Sequence, residues 1–217
     1  GSEMCIRDSD RSIHYLNNWK VPSQITLTWG SYTANYLKRL NPHMKLFVCG
    51  NPAIKAVISE QINDSKLIGV VFDIPIYKSY NQEMLRIVEK YAIQNNMRVY
   101  VRLHPTDYEK NYSINLKCTK FCKDIDVATC IVGHTTTMIF TYMILGYQVY
   151  VFNSDLQKRD VSKDILFSSY DEFCNCFMLN YDFIAEGKKK IAYIGEESKR
   201  KYRDLYSKLI RVVSSNL

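Results

Sequence analysis

The chain has 217 residues, of which 47% are hydrophobic and 24% charged, and its formal net charge is +7. This composition is typical of a globular protein with one large or two small cores, and it excludes a disordered chain. No apolar run reaches the roughly 18 to 20 residues that a membrane-spanning helix needs. The basic residues come without a nucleic-acid-binding motif, so the sequence predicts no nucleic-acid partner.

The first predicted elements form a strand–helix–strand unit. A β-branched run from Ile25 to Gly30 predicts a strand, Ser31 is a candidate N-cap for the following helix, and Gly50 and Pro52 stop a second strand. This unit is too short to bury a core alone. We therefore interpret residues 10–62 as the C-terminal remnant of another domain and a linker.

The rest of the chain alternates between the two kinds of element. Apolar runs predict strands at 67–72, 97–105, 126–133, 147–152 and 165–169, and helical patterns predict helices at 81–96, 134–145, 170–179 and 196–215. Alternating strands and helices predict an α/β fold with a doubly wound, Rossmann-like parallel sheet. We assign residues 63–217 to this domain, with the long C-terminal helix closing it.

Cysteine usage indicates the compartment. The seven cysteines do not follow the spacing of a small disulfide framework, which predicts reduced thiols and a cytoplasmic protein. The neighbouring pairs Cys118–Cys122 and Cys174–Cys176 have no second pair to complete a zinc site, so we predict neither a metal nor another cofactor. The basic C-terminal helix leaves peripheral association with the inner membrane open.

The first candidate site follows the strand that ends at Pro105. Ligands of open parallel sheets bind beyond the carboxyl ends of the strands. Arg102, His104 and Asp107 cluster at such an end, and Pro105 fixes the backbone there. The His104 imidazole can donate to a phosphate or ribose oxygen, and Arg102 can add charge if it faces the same way. A histidine that only terminates the strand is the alternative.

The second candidate site is the sequence GHTTT at 133–137. Gly133 allows close approach of a ligand, and Thr135, Thr136 and Thr137 begin a helix whose free N–H groups and hydroxyls can bind an anion. His134 belongs to the same turn. Simple N-capping by one threonine is the alternative. Together the two sites predict a pocket for a phosphate-bearing ligand.

Other nucleotide and hydrolase motifs do not occur in the sequence. GxGxxG, GxxxxGK[ST] and GxSxG are all missing, which disfavours a dinucleotide-dependent dehydrogenase, a P-loop NTPase and an α/β-hydrolase.

With these elements and motifs, the sequence resembles the C-terminal half of a glycosyltransferase of the two-Rossmann-domain (GT-B) fold. The stretch at 28–52, which ends in Gly-Asn-Pro, resembles the end of the acceptor domain. RLHP at 102–105 resembles the His-Pro motif of bacterial sialyltransferases, polysialyltransferases and relatives in capsule and lipooligosaccharide synthesis. GHTTT occupies the place of their Ser/Thr motif.

The resemblance implies roles for particular residues. His104 and Pro105 would contact the nucleotide of a CMP- or UDP-linked sugar, Thr135 and Thr136 would hold its phosphate, and His104 would stabilise or protonate the leaving phosphate as the sugar passes to a glycan or glycolipid acceptor. Many uridine-nucleotide enzymes of this fold carry a glutamate where this chain has Thr141, which favours a CMP-sugar. The family's catalytic base lies in the N-terminal domain, so we expect this chain alone to bind donor without full activity.

Two alternatives stay open at this point. The same fold accommodates a polyol-phosphate transferase or a UDP-sugar epimerase, and a non-catalytic α/β module could bind a protein partner.

The beginning of the chain has a separate explanation. Residues 1–9, GSEMCIRDS, are similar to one translated frame of a transposase-type sequencing adaptor. We interpret them as a non-native leader on a fragment, to be excluded from reasoning about the fold.

Overall fold

A computed structural model describes residues 25–53, 64–136, 138–155, 162–179 and 192–214. The leader at 1–9, the predicted boundary at 62/63 and Thr137 lie outside the described residues. The described part divides into two compact units: residues 25–53 with 192–214, and residues 64–179.

The first unit contains the predicted strand–helix–strand. Strands β1 (Thr26–Thr28) and β2 (Leu46–Val48) pair in parallel and are connected by helix α1 (Ser31–Leu40). The sequence predicted Ser31 as the N-cap of α1, one residue beyond the actual N-cap. Gly30 takes the N-cap position without a side-chain cap, and Ser31 is the first helical residue.

The C-terminal helix belongs to this first unit. We assigned it to the 63–217 domain, but the helix Gly195–Ser214 packs with residues 25–53. The Ser198 hydroxyl donates to the Cys49 carbonyl at 2.7 Å, and the backbone N–H of Asn51 donates to the Tyr193 carbonyl at 2.8 Å. Its sequence pattern shows an apolar stripe but not which sheet the stripe covers.

A glycine allows the close approach of these segments. Gly50 has a φ of +85°, and a Cβ atom there would lie 2.1 Å from the Tyr193 carbonyl oxygen. Any other residue would clash with the Tyr193 backbone and would be strained at this φ.

The second unit is built on a six-stranded parallel sheet, as predicted from the alternating pattern. Its strands are β3 (Asp64–Val71), β4 (Arg98–Arg102), β5 (Thr119–Phe121), β6 (Ala128–Gly133), β7 (Gln148–Phe152) and β8 (Leu166–Phe167). Strand β5 was not predicted from the sequence, because its three residues, Thr-Lys-Phe, carry no apolar run. The helices are α2 (Lys78–Gln94), α3 (Met138–Leu145) and α4 (Tyr170–Leu179), and the C-terminal helix of the first unit is α5.

The strand order is β5-β4-β3-β6-β7-β8. The chain starts in the middle at β3, adds two strands on one side and then three on the other. The carboxyl ends of β3 and β6 therefore flank the topological switch point, where the connections diverge and leave a crevice.

The main core lies on the sheet face covered by α2 and α4. Alternate strand residues such as Val70, Val101 and Val132 pack against Met84 of α2 and Phe173 of α4. The two-residue periodicity of a strand sends the intervening residues to the opposite face. On that face lies the almost wholly apolar helix α3.

Candidate functional site at the switch point

A buried carboxylate joins the two loops at the switch point. Asp73 follows β3 and is 1% exposed. Its Oδ2 atom accepts hydrogen bonds from both the backbone N–H and the hydroxyl of Thr135, each at 2.6 Å. The loop after β3 is thus fixed to the loop after β6. A charge buried this deeply needs such donors, because desolvating it alone is very costly.

His134 lies beside this carboxylate inside a cage of aromatic rings. It is 1% exposed, and its ring stacks on Tyr80 at 5.3 Å, with the edges of Tyr77 and Phe152 at 6.1 and 5.7 Å. Its Nε2 atom lies 2.6 Å from the Ser154 hydroxyl, just beyond β7. Its Nδ1 atom lies 3.2 Å from Asp73 Oδ2, though it does not meet the angle of a good hydrogen bond.

His104 is placed very differently. It follows β4 and is partly exposed, in a turn closed by the bond from the Asp107 N–H to the His104 carbonyl at 2.9 Å. Its Nδ1 atom accepts from the Thr106 N–H at 3.2 Å and lies 2.8 Å from the Thr106 hydroxyl. A neutral ring whose Nδ1 accepts must carry its proton on Nε2. The ring therefore offers an N–H donor on the side away from Thr106.

A series of buried polar groups connects the His104 turn to the loop that contains His134. The Asp107 carboxylate accepts from the Tyr112 hydroxyl at 2.5 Å, and that hydroxyl accepts from the Asn81 amide at 3.1 Å. Asn81, fully buried near the start of α2, also bonds both backbone groups of Asp73. Hydrogen bonds thus run without a break from the His104 turn to Asp73 and on to Thr135.

This series of hydrogen bonds changes the pKa values of the groups in it. Burial raises the pKa of the Tyr112 hydroxyl, and the bond to Asp107 raises it further. Burial acts to raise the pKa of Asp107 as well. The hydrogen bonds from Tyr112, Asn111 and the Tyr108 N–H outweigh it, and the pKa of Asp107 is lowered. Asp107 is 8% exposed, so we assign it to holding the turn.

Arg102 points to the face of the sheet that carries α3. Its neighbour Val101 belongs to the opposite core, and strand residues alternate. Burial and the hydrogen bond to Asp126 raise the pKa of the Tyr142 hydroxyl, and the nearby Arg102 guanidinium opposes that rise. The charge of Arg102 therefore lies beside Tyr142 of α3.

The GHTTT turn has structural reasons for several of its residues. A Cβ atom at Gly133 would lie 2.4 Å from Cγ2 of Ile139, so this glycine lets α3 pack on the strand end. The Thr136 hydroxyl accepts from the Met138 N–H at 3.3 Å, as an N-terminal cap does. Both donors of Thr135 are engaged by Asp73. Binding of a phosphate by Thr135 and Thr136 stays a prediction.

Asp73, Asn81 and Ser154 were not predicted from the sequence as members of this network. Asp73 and Ser154 did carry a usable signal, because each is a polar residue within two positions of the end of a buried parallel strand. Asn81 gave no such signal, since an asparagine near a helix start most often faces solvent.

Two cavities in the described part of the chain lie away from this edge of the sheet. One of about 510 Å³ lies between α2 and the 113–116 loop, and one of about 170 Å³ lies between β2 and α5 in the first unit. Neither is lined by a residue of the Asp73 network. We place the candidate site by topology and hydrogen bonding.

The described residues contain no cluster of three or more His, Cys, Asp or Glu side chains arranged to bind a metal. Within the same ranges, none of the helices has the length and hydropathy needed to cross a membrane.

Comparison with known proteins identifies the fold. No protein-family model matches the chain, and no curated protein matches it either. The solved structure of S. aureus MnaA with UDP is similar, with a TM-score of 0.57 and 15% identity, and the match covers 84% of this chain and 60% of that one. This chain thus spans about three fifths of that protein's length.

A second solved structure, the wall teichoic acid polymerase TagF with CDPG, matches with a TM-score of 0.40 and 12% identity over 88% of this chain and 55% of that chain. The likeness to MnaA, at 15% identity, bears on the fold alone. It confirms the predicted α/β architecture of the GT-B type.

Proposed function

We propose that this chain is the donor-binding half of a nucleotide-sugar-dependent glycosyltransferase, most similar in its motifs to the CMP-sugar enzymes of surface-polysaccharide synthesis. The observation that carries the proposal is the orientation of His104. Its Nδ1 atom is occupied by Thr106, so an Nε2–H donor is available at the carboxyl edge of the sheet. A ligand phosphate in the crevice would accept from that donor.

The phosphate would lie over the end of β3, between the loops that follow β4 and β6. These two strands are the neighbours of β3 on either side. The start of α3 (Met138–Leu145) is the positive end of a helix dipole, which favours a nearby anion. In this arrangement Thr135 holds the loop through Asp73, and Thr136 caps the helix.

His104 would act on the leaving group. When the acceptor hydroxyl attacks the sugar, the bond from the anomeric carbon to the phosphate oxygen breaks and negative charge develops on the phosphate. A donated hydrogen bond, or the proton itself, from Nε2 stabilises that charge. The acceptor's proton goes to a base, which we propose lies in the N-terminal domain of the complete enzyme. We therefore expect this chain alone to bind donor without ordinary transferase activity.

The choice of nucleotide rests on Thr141 in α3. A carboxylate at this place would grip the ribose of a uridine nucleotide, by the family resemblance. The threonine favours a cytidine nucleotide, and we propose CMP as the product that the site retains.

Titration calorimetry with CMP, CDP and UDP tests the proposal. We expect wild type to bind CMP, His104→Ala and His104→Asn to weaken binding at least tenfold, and His104→Gln to retain part of it because its amide nitrogen can replace Nε2–H. The exposed His43 supplies the matched control, since His43→Ala should bind like wild type.

Each other outcome has a definite meaning. Tighter binding of CDP or UDP that still depends on His104 would favour a polyol-phosphate transferase or a UDP-sugar epimerase. No binding of any of the three nucleotides would contradict the proposal and favour a protein-binding module.

A further inference from the structure

The cavity between α2 and the 113–116 loop combines charged and apolar side chains. Its volume of about 510 Å³ lies within the range of small-molecule sites. It contains no residue of the Asp73 network, and it lies entirely within the unit built on the six-stranded sheet. An inference about this cavity therefore does not depend on the nucleotide site proposed above.

Two side chains of α2 hold the loop in place. The Gln82 amide donates to the Ser113 carbonyl at 2.8 Å and accepts from the Ser113 N–H at 3.1 Å. Oε1 of Glu89 accepts from the Asn115 N–H at 2.7 Å. The cavity is thus formed before a ligand arrives, and binding does not have to order the loop.

Glu89 contributes a carboxylate that is only partly compensated. The residue lines the cavity and is 9% exposed. Within the described ranges, the Asn115 N–H is the one donor to this carboxylate, and Oε2 is not sealed from the solvent. A charge removed from water needs donors around it. Oε2 can therefore accept from a cationic donor in the cavity.

Arg86 contributes the opposite charge on the same face of the helix. Residues three apart on a helix are neighbours, so Arg86 lines the cavity one turn before Glu89. The two side chains form no ion pair, and no other described residue pairs with Arg86. The exposed guanidinium therefore keeps its N–H donors available for an anion.

The loop contributes an aliphatic surface. Ile114 is half-buried and packs against the main core, and Leu116 is 85% exposed. Both side chains line the cavity beside the two charged residues. An aliphatic group bound there would remove part of the Leu116 side chain from water, which is favourable.

We propose that this cavity binds a free α-amino acid with an aliphatic side chain. The ammonium group donates to Glu89, the carboxylate accepts from Arg86, and the side chain lies against Leu116. A ligand that carries opposite charges on one carbon matches opposite charges on neighbouring helix positions. A simple anion would be repelled by Glu89, and a simple cation by Arg86.

NMR titration of the ¹⁵N-labelled chain tests the proposal with leucine and two analogues. Leucinamide lacks the carboxylate, and N-acetylleucine lacks the ammonium group. We expect leucine to shift the amide signal of Asn115, which donates to Glu89. We expect each analogue to bind at least tenfold more weakly than leucine, because hydrogen bonds to charged groups are the strong ones.

Substitutions assign each ligand group to its protein partner. Arg86→Ala should weaken leucine about tenfold and change leucinamide less than twofold, because leucinamide has no carboxylate to lose. Glu89→Gln, which keeps an acceptor for the Asn115 N–H, should weaken leucine about tenfold and change N-acetylleucine less than twofold. Leu116→Ser should weaken leucine more than glycine. Glu83→Gln, at an exposed position of α2, is the matched control and should change none of them.

Three results would overturn the inference. One is the absence of any leucine-dependent shift in wild type. Another is equal binding of leucine and both analogues, which would mean that the two charges are not recognised. The third is an equal loss of leucine and leucinamide binding in Arg86→Ala, since Arg86 would then not contact the carboxylate. The exposed positions of Arg86 and Leu116 make these variants compatible with folding.

Discussion

His104 and His134 look alike in the sequence and differ in the structure. Each follows a parallel strand and precedes a threonine within two residues. His104 is partly exposed and bonds only within its own turn, whereas His134 is 1% exposed in an aromatic cage beside a carboxylate. The difference comes from the neighbouring strand ends, because only His134 has a buried acid, Asp73, across the switch point. The same residue type therefore packs inside the fold at one loop and is partly exposed at the other, where we propose that it contacts ligand.

Among the substitutions that test this difference, Asp73→Ala is expected to have the largest effect on stability. It removes the acceptor for both donors of Thr135 and the charge beside His134. Each buried donor left without a partner costs roughly 1–3 kcal/mol, so we expect a loss of about 3 kcal/mol or more in the free energy of unfolding. Urea denaturation followed by circular dichroism measures it. Asp155→Ala, at an exposed position, should stay within about 0.5 kcal/mol of wild type.

Gly133→Ala tests the packing of the loop that contains His134. The added methyl would meet Cγ2 of Ile139, and overpacking of this kind costs roughly 1–3 kcal/mol. Ile139→Ala also destabilises by itself, but it removes the clash. The double variant should therefore lose less stability than the sum of the two single variants, in the same denaturation assay. Simple additivity would show that the glycine serves another purpose, such as close approach of a ligand.

Tyr112→Phe weakens the series of hydrogen bonds that connects the His104 turn to Asp73. It leaves Asp107 and Asn81 short of a partner, and we expect a loss of about 1 kcal/mol at pH 7. The pKa of Asp107 is lower in the folded state, so its contribution is present above its unfolded pKa, about 3.9, and is lost as the pH falls through the folded pKa.

Loss of the Tyr112 bond should bring the pKa of Asp107 back toward its usual range. The stability difference from wild type should then shrink on acidification below about pH 4. Urea titrations at a series of pH values measure this, and Tyr108→Phe, at an exposed tyrosine, is the control. A difference independent of pH would mean that the Tyr112 hydroxyl acts without Asp107.

The smallest effect on stability is expected for His104→Ala. Its ring bonds only to Thr106 beside it, and substitutions of this kind usually stay within about 0.5 kcal/mol. Thermal melting measures the change. A loss above about 1 kcal/mol would mean that His104 also contributes to the stability of the fold, contrary to the difference from His134 described above. Together with the expected loss of CMP binding, a neutral result would show that the residue serves ligand and not fold.

The sequence predicted the fold well because its signals are local. Apolar runs and helical stripes marked the central strands and helices, and their alternation predicted the parallel sheet. It failed at β5, where Thr119–Phe121 pairs with β4 although these residues carry no apolar run. It also misplaced α5, since an amphipathic helix does not specify its partner.

At the site, the sequence located the right edge of the sheet but not the division of roles. We expected Arg102 to add charge to the site if it faced the same way as His104, and the structure places its guanidinium beside Tyr142 of α3. Asp73 was visible only as the end of an apolar run. Its importance follows from the adjacency of β3 and β6, whose pairing joins residues 62 positions apart. No local pattern encodes such a contact.

The contact between Gly50 and Tyr193 has a consequence for how the chain folds. Strands β1 and β2 are synthesised before their partner helix α5, which bonds to the residues just after β2 across about 150 residues, from Ser198 to Cys49 and from Tyr202 to Gly50. Closing so long a loop is entropically costly, and contacts of high sequence separation form slowly. During synthesis the sheet at 64–179 can therefore assemble first. The first unit is completed only after α5 has left the ribosome.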